Sequence, residues 1–435
     1  MPAATAPLPA RTAVARVTRR LIPFLFLLYI LAFLDRVNVG FAALQMNETL
    51  GFGPAVYGLG AGVFFLGYCL FEVPSNLVLY RTGARVWIAR IMVSWGLAAC
   101  AMMLVHASWS FYLLRFLLGV AEAGFFPGII FYLTHWYPAR DRAHAYSWFL
   151  AAIPISGIVG GPLSGALLGL DGRLGLQGWQ WLFLVEGIPS VVVGLLVLVL
   201  LPERPADARW LANEEKAWLE RTLAAERAAA VAEHGASLGR ALASPRVWWL
   251  GTVYFLIVAG LYAFSLWLPQ LVKGSGRLSN FEVGAITAVP YLFAAAGMVL
   301  VGRSSDRSGE RHLHLALPAL AAAAGFAAIA SVRTPAPLVA ALSVAAFGLL
   351  ACLGPFWALP TTFLKDQAGA GGIALINSMG ALGGFVGPYL LGVVKDRTGS
   401  FTAGLLLLGA MVAVAAGIVL GMRRRERGRL KEGTA

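Results

Sequence analysis

Apolar residues gather in twelve runs along the chain, each long enough to cross a bilayer as a helix. They lie at about 21–44, 57–80, 86–106, 110–135, 145–170 and 179–201, then at 247–271, 282–302, 312–332, 336–360, 370–394 and 399–422. One long polar stretch, 202–246, separates the two sets of six. Within it Trp210, Leu211, Trp218 and Leu219 recur at roughly helical spacing, which predicts an amphipathic surface helix. The pattern predicts an all-α membrane protein with twelve transmembrane helices in two six-helix bundles. Its parts are a tail (1–20), an N-terminal bundle (21–201), a linker (202–246), a C-terminal bundle (247–422) and a basic tail (423–435). The first run is too long for a signal peptide, carries Asp35 and Arg36, and lacks a small-residue cleavage site.

Composition agrees. Of 435 residues, 59% are hydrophobic and 13% charged, against roughly half and a quarter in a soluble domain. No soluble catalytic domain fits in what the spans leave over. The three cysteines, Cys69, Cys100 and Cys352, form no CxxC pair and suggest neither a disulfide framework nor a zinc site. Net charge is +13. Twelve spans put both termini on one side. On that side fall 26 of the 34 Lys and Arg, six fall on the other, and Arg36 and Arg115 lie inside spans. By the positive-inside rule both termini and the linker are expected in the cytoplasm. The basic Arg423–Arg425 run then points to anionic lipid headgroups, and no nucleic acid is expected as a partner.

The two halves echo each other. Leu79-Tyr80-Arg81-Thr82-Gly83-Ala84-Arg85 follows the second run, and Gly302-Arg303-Ser304-Ser305-Asp306-Arg307-Ser308-Gly309-Glu310-Arg311 follows the eighth. Gly157, Gly161, Pro162 and Gly165 in the fifth run answer Gly383, Gly384, Gly387 and Pro388 in the eleventh. Such repetition makes the bundles pseudo-symmetric and is the mark of a transporter with its site between them.

Ionisable groups at mid-membrane cost about 2.5–3.5 kcal/mol each on insertion scales. The chain nevertheless places Asp35, Arg36, Arg115 and Glu122 deep in spans, with Glu72 nearer the end of the second. Arg115 and Glu122 are seven residues apart, so they share a helix face roughly 10 Å apart along the axis. The first and fourth spans are therefore expected to give two acids and two bases to one layer of a central cavity. Buried salt bridges that only tie helices together are the plainer reading, but such pairs add little net stability. Two arginines can bind a carboxylate bidentately. Two carboxyls in a low-dielectric cavity can hold protons near neutral pH. A protonated acid releases its arginine to the substrate, which couples the two fluxes.

The chain resembles a major facilitator superfamily transporter. Gly302–Arg311 matches that family's loop motif Gly-x-x-x-Asp-Arg-x-Gly-x-Arg, while the first-half copy lacks the Asp. It is more narrowly similar to the anion:cation symporter branch, and there to bacterial tartrate permeases and then 4-hydroxyphenylacetate permeases. Phe33–Phe41, Phe71–Asn76, Arg115–Phe125, Trp179–Phe183 with Glu186–Pro189, Trp267–Gln270 and Ala374–Ser378 carry that resemblance. It implies that Asp35 and Glu122 are proton sites and that Arg36 anchors the carboxylate. Arg115 would then switch between Asp35 or Glu122 and the substrate. Tyr68, Trp357 and Asn377 match positions that line the family's cavity. Tyr262 on the seventh span is a further candidate. Glu72, Asn76, Arg81 and Arg85 are expected to bind the cytoplasmic helix ends as a latch. Gly302, Asp306, Arg307, Gly309 and Arg311 are expected to do the same in the second half.

The expected function is uptake of an organic carboxylate, a tartrate-like dicarboxylate or a related acid, by proton symport through the bacterial inner membrane. Uptake of an aromatic or sugar acid and proton-antiport efflux are the alternatives. The embedded arginines speak for anionic cargo. An enzyme is disfavoured, since HExxH, GxSxG and a mid-depth histidine are all missing. Two-fold repetition suits alternating access better than a channel. Neither cofactor nor metal is expected: His312-x-His314 lacks a third ligand. The partners are a small organic anion, protons and membrane lipid, and the chain is expected to work as a monomer.

Overall fold

A computed structural model describes residues 8–232, 244–332, 334–360 and 366–432. Residues 1–7, 233–243, 333, 361–365 and 433–435 lie outside the described residues, and with them Arg240, Arg333 and Lys365, which were counted above for orientation. All regular secondary structure among the described residues is helical.

Twelve helices are long and apolar enough to cross a membrane. Spans 1 to 6 are Thr12–Leu50, Pro54–Thr82, Ala84–Leu104, Ser108–Thr134, Trp148–Leu168 and Gly178–Leu200. Spans 7 to 12 are Pro245–Lys273, Asn280–Ser308, His312–Ser331, Pro335–Ala358, Gly372–Thr398 and Thr402–Glu426. Each overlaps one apolar run of the sequence. Several run past it, because a helix keeps its backbone hydrogen bonds as it leaves the oil, whatever its side chains. Local signals set the ends. In span 8 the Ser279 hydroxyl accepts from the Glu282 N–H at 3.2 Å, and the Glu282 carboxylate accepts from the Ser279 N–H at 2.7 Å. Gly309, at φ +67°, ends the same helix with its N–H on Ser305 O, a left-handed position that suits glycine.

The packing repeats between halves. Span 3 pairs with span 6 as span 9 pairs with span 12, and span 2 pairs with span 4 as span 8 pairs with span 10. Across the halves, span 2 meets span 11 and span 5 meets span 8. Large apolar side chains such as Leu195, Val199, Leu292 and Phe293 stay exposed. They form the outer belt expected where lipid is the solvent.

The halves close on each other on the side away from the termini, along a seam of small residues. A Cβ on Gly161 would lie 2.5 Å from Gly284 O, and one on Gly284 would lie 2.2 Å from Gly161 O. Gly58 and Gly392 bring spans 2 and 11 together in the same way. The Tyr57 hydroxyl donates to Leu266 O at 2.6 Å, tying span 2 to span 7. Between Leu34, Gly160, Gly161, Ser265 and Tyr291 the seam leaves a void of only about 10 Å³.

The linker does form a helix, Asn213–Ala232. Its Leu219 and Leu223 are buried against protein, Trp210 stacks on Trp136 at 5.7 Å, and Arg16 pairs with Glu215 at 2.9 Å. Partial burial opposes the Glu215 charge, but the Ala212 N–H, Thr12 and Arg16 outweigh it and hold the carboxyl below the usual glutamate range.

Candidate functional site

Three spans depart from regular helix near the middle of the fold, and span 4 is broken outright. Span 1 is only perturbed at Asn38, between Leu8–Val37 and Val39–Leu50: Asn38 keeps helical φ −57° and ψ −27°, with its N–H on Leu34 O at 2.9 Å. Span 4 divides after Glu122, where Gly124 adopts φ +86°. Any Cβ at Gly124 would sit 2.3 Å from Ser75 Oγ, so both conformation and space require glycine there. Span 10 is likewise only perturbed at Cys352, which keeps helical φ −64° and ψ −31°, five residues before Trp357. A broken helix such as span 4 is where transporters tend to place their sites.

Arg36, close before Asn38, is the hub. One of its amino groups forms an ion pair with Glu122 Oε1 of span 4. The other donates to the Tyr262 hydroxyl of span 7 at 2.8 Å, so a single guanidinium joins the two halves. The Phe64 and Tyr68 rings each lie 5.5 Å from it, where ring faces attract a cation. Tyr262 packs on Phe65 at 4.2 Å. Asp35, Arg115 and Glu122 are at most 1% exposed and Arg36 is 8% exposed. Glu122 Oε2, Arg36 Nε and one Arg115 amino group have no hydrogen-bond partner. The site thus holds unmet acceptor and donor capacity.

The expected single layer of two acids and two bases is not what forms. Adjacent residues on a helix point about 100° apart, so Asp35 turns away from Arg36 into the N-terminal bundle. There Asp35 Oδ2 accepts from Trp95 Nε1 at 2.8 Å and from Ser190 Oγ at 2.6 Å. Arg115 does reach the same region, with Phe64 5.0 Å away. Its hydrogen bonds go to the Gly60 and Ala61 carbonyls of span 2, at 3.3 and 3.1 Å, rather than to an acid.

Trp357 lies edge-on to Tyr254 at 5.0 Å, and Tyr254 stacks on Phe356 at 4.7 Å. Tyr254, missed in the sequence, therefore builds the second-half wall with Trp357. Asn377 donates to Glu72 Oε1 at 2.7 Å, across spans 11 and 2.

The latch residues divide differently from expectation. Glu72 ties the halves through Asn377 and makes no ion pair with Arg81 or Arg85 among the described residues. Instead Glu203, unremarked in the sequence, accepts from the Ala84 and Arg85 N–H groups at 2.7 and 3.0 Å. A carboxylate there satisfies the free donors at the start of span 3. Asn76 sits beside the Gly124 bend, where a glycine Cβ would be 3.5 Å from its Oδ1. In the second half Arg311 pairs with Asp306 at 2.6 Å within the turn. Gly302 faces open space, and no ion pair of Arg307 occurs among the described residues. The tie outward from this turn is Glu310 to Arg423 Nε, 3.1 Å. It joins the turn to span 12 and leaves the other half untouched.

The sequence model for "Major Facilitator Superfamily" matches residues 25–388. The chain belongs to the major facilitator superfamily. A protein of Agrobacterium vitis named "Putative tartrate transporter" is 51% identical over 94% of this chain and 91% of that relative. A "Quinolone resistance transporter" of Acinetobacter baumannii is 44% identical over 94% of each. A bacterial homolog of the human lysosomal transporter Spinster, solved inward-facing and occupied, superposes with a TM-score of 0.73 at 18% identity, covering 96% of this chain and 98% of that one. A major facilitator chain of this kind is a multi-pass membrane transporter and not an enzyme. In this member the guanidinium of Arg36 stands where the superfamily's two bundles meet.

Proposed function

We propose that the protein imports an organic carboxylate, a tartrate-like dicarboxylate, together with protons. The observation that carries this reading is the Arg36 guanidinium held between Glu122 of one half and Tyr262 of the other. A buried cation needs an anion, and Glu122 supplies it while the substrate is away. Protonation of Glu122 weakens that pair and frees the fork of Arg36 to take a carboxylate bidentately. Tyr262 then donates from the opposite half, so binding draws the bundles together. Arg115, with a spare amino group nearby, suits a second carboxylate. Tyr68, Trp357 and Asn377 complete the lining, and Asp35 is a further proton site.

The positive-inside bias puts both termini in the cytoplasm of a bacterial inner membrane, so the glycine seam closes the outward side. An anion entering against an inside-negative potential pays about 2.3 kcal/mol per charge per 100 mV. Protons carried with it remove that cost. A relative named for quinolone resistance makes proton-antiport export the second reading; aromatic and sugar acids remain within the carboxylate class.

Uptake of labelled carboxylates into proteoliposomes, with and without an inward pH gradient, tests this. Gradient-driven tartrate accumulation that Arg36→Ala abolishes is expected. Undiminished uptake by Arg36→Ala would remove the anchor, and gradient-driven loss of substrate would favour export.

A further inference from the structure

On the side of the termini, the turn between spans 2 and 3, the end of span 4 and the linker enclose a cavity of about 730 Å³. It lies outside the Arg36 site and shares no residue with it. Arg81 and Arg85 reach it from the turn and Arg204 from the linker. None of the three forms an ion pair among the described residues. Arg85 Nε is shut off from solvent and has no hydrogen-bond partner. Glu203 also lines the cavity, but its two oxygens are taken by the Ala84 and Arg85 N–H groups. Span 3 is thus already capped, and the open donor capacity belongs to the arginine side chains. Glu220, exposed on the linker helix, is the acid left at the rim.

The cavity continues into the outer apolar belt. Tyr80 and Val86 line it and are also exposed at its flank. Tyr80 packs on Phe131, another lining residue, at 4.3 Å. Leu77, one turn further into span 2, is 61% exposed. Arginines at the level where spans leave the oil, with an apolar wall rising beside them, match a ligand that has an anionic head and acyl chains. A free phosphate would use the arginines and leave the wall without a role.

We propose that this cavity is a binding site for one anionic phospholipid of the leaflet facing the termini. Its phosphate oxygens accept from Arg81, Arg85 and Arg204, whose planar forks suit phosphate. Headgroup hydroxyls, such as those of phosphatidylglycerol, donate to Glu220. The acyl chains run along Leu77, Tyr80 and Val86. A lipid so placed touches the span 2–3 turn and the linker helix at once. It adds to the Arg142–Glu226 pair at 2.8 Å in holding the linker on the N-terminal half. The site is independent of the proposed cargo and proton path.

The test has two arms, both on the full chain. In the first, the unaltered protein is reconstituted in phosphatidylcholine vesicles containing a minor share of phosphatidylglycerol with a photoactivatable group near its head. Labelled peptides are expected within 77–86 and 203–224. Labels confined to other segments would overturn the proposal.

In the second, native mass spectrometry reads the ratio of phosphatidylglycerol to phosphatidylcholine retained by detergent-purified protein. Arg85→Gln and Arg204→Gln should each lower that ratio about fivefold. Arg423→Gln with Arg424→Gln removes as much charge from the other half and should keep it. Equal losses from both pairs would mean diffuse attraction without a site, and would overturn the proposal. So would displacement of the lipid by millimolar glycerol 3-phosphate or inorganic phosphate, which would make the occupant a soluble anion.

Discussion

Arg36 meets Glu122, Tyr262 and two aromatic rings from one guanidinium, and each contact implies a different loss. Arg36→Lys keeps the charge but not the planar fork. Tartrate binding should weaken at least tenfold, measured by titration calorimetry in detergent. Tyr262→Phe keeps the packing on Phe65 and removes one charge-assisted hydrogen bond. Such bonds are worth about 1.5–3 kcal/mol, so affinity should fall by roughly ten- to a hundredfold. An unchanged affinity in Tyr262→Phe would mean that the second half does not grip the anion through this hydroxyl. Asp35 shows why charge count alone misled: its neighbour Arg36 already occupies the face toward the partner bundle.

At the scale of helices, the seam and the caps carry separate predictions. Gly161→Leu cannot keep the approach to Gly284, so the population should shift toward a state open on the side away from the termini. Spin-label distances across the ends of spans 5 and 8 on that side should lengthen; unchanged distances would show that the seam tolerates bulk. Glu203→Ala leaves the first N–H groups of span 3 unsatisfied. A lost cap costs about 0.5–2 kcal/mol, to be read as a lower melting temperature with substrate affinity retained.

The spans were legible because twenty apolar residues in a row have few other fates. Their interruptions were not, since an apolar run looks the same whether or not Gly124 bends it. Arg36, Arg115 and Glu122 were legible as charges in oil, and Glu186 carried the same signal inside a stretch noted only for its resemblance. Glu203 was invisible as a cap, because its partners lie at Ala84 and Arg85, far back in sequence. Tyr254 gave no sign of its own, since an aromatic in an apolar span is most often packing.

Over the whole molecule, two bundles share a sealed seam on one side and a cation at their centre. The glycine contacts and the Tyr57 hydroxyl hold one side shut, while Arg36 links Glu122 to Tyr262. Exchanging Glu122 for a substrate carboxylate alters the ties between halves without leaving the cation unpaired. In the proposed mechanism that exchange is the step on which coupling depends, and a substrate must differ in affinity between the two states to drive it. It is read most directly by calorimetric titration of the purified protein with tartrate in buffers of different ionisation heat, which counts protons taken up on binding. The account predicts proton uptake by the unaltered protein, one proton fewer for Glu122→Gln, and no binding by Arg36→Ala. Full tartrate affinity in Arg36→Ala, or proton uptake unchanged in Glu122→Gln, would contradict it.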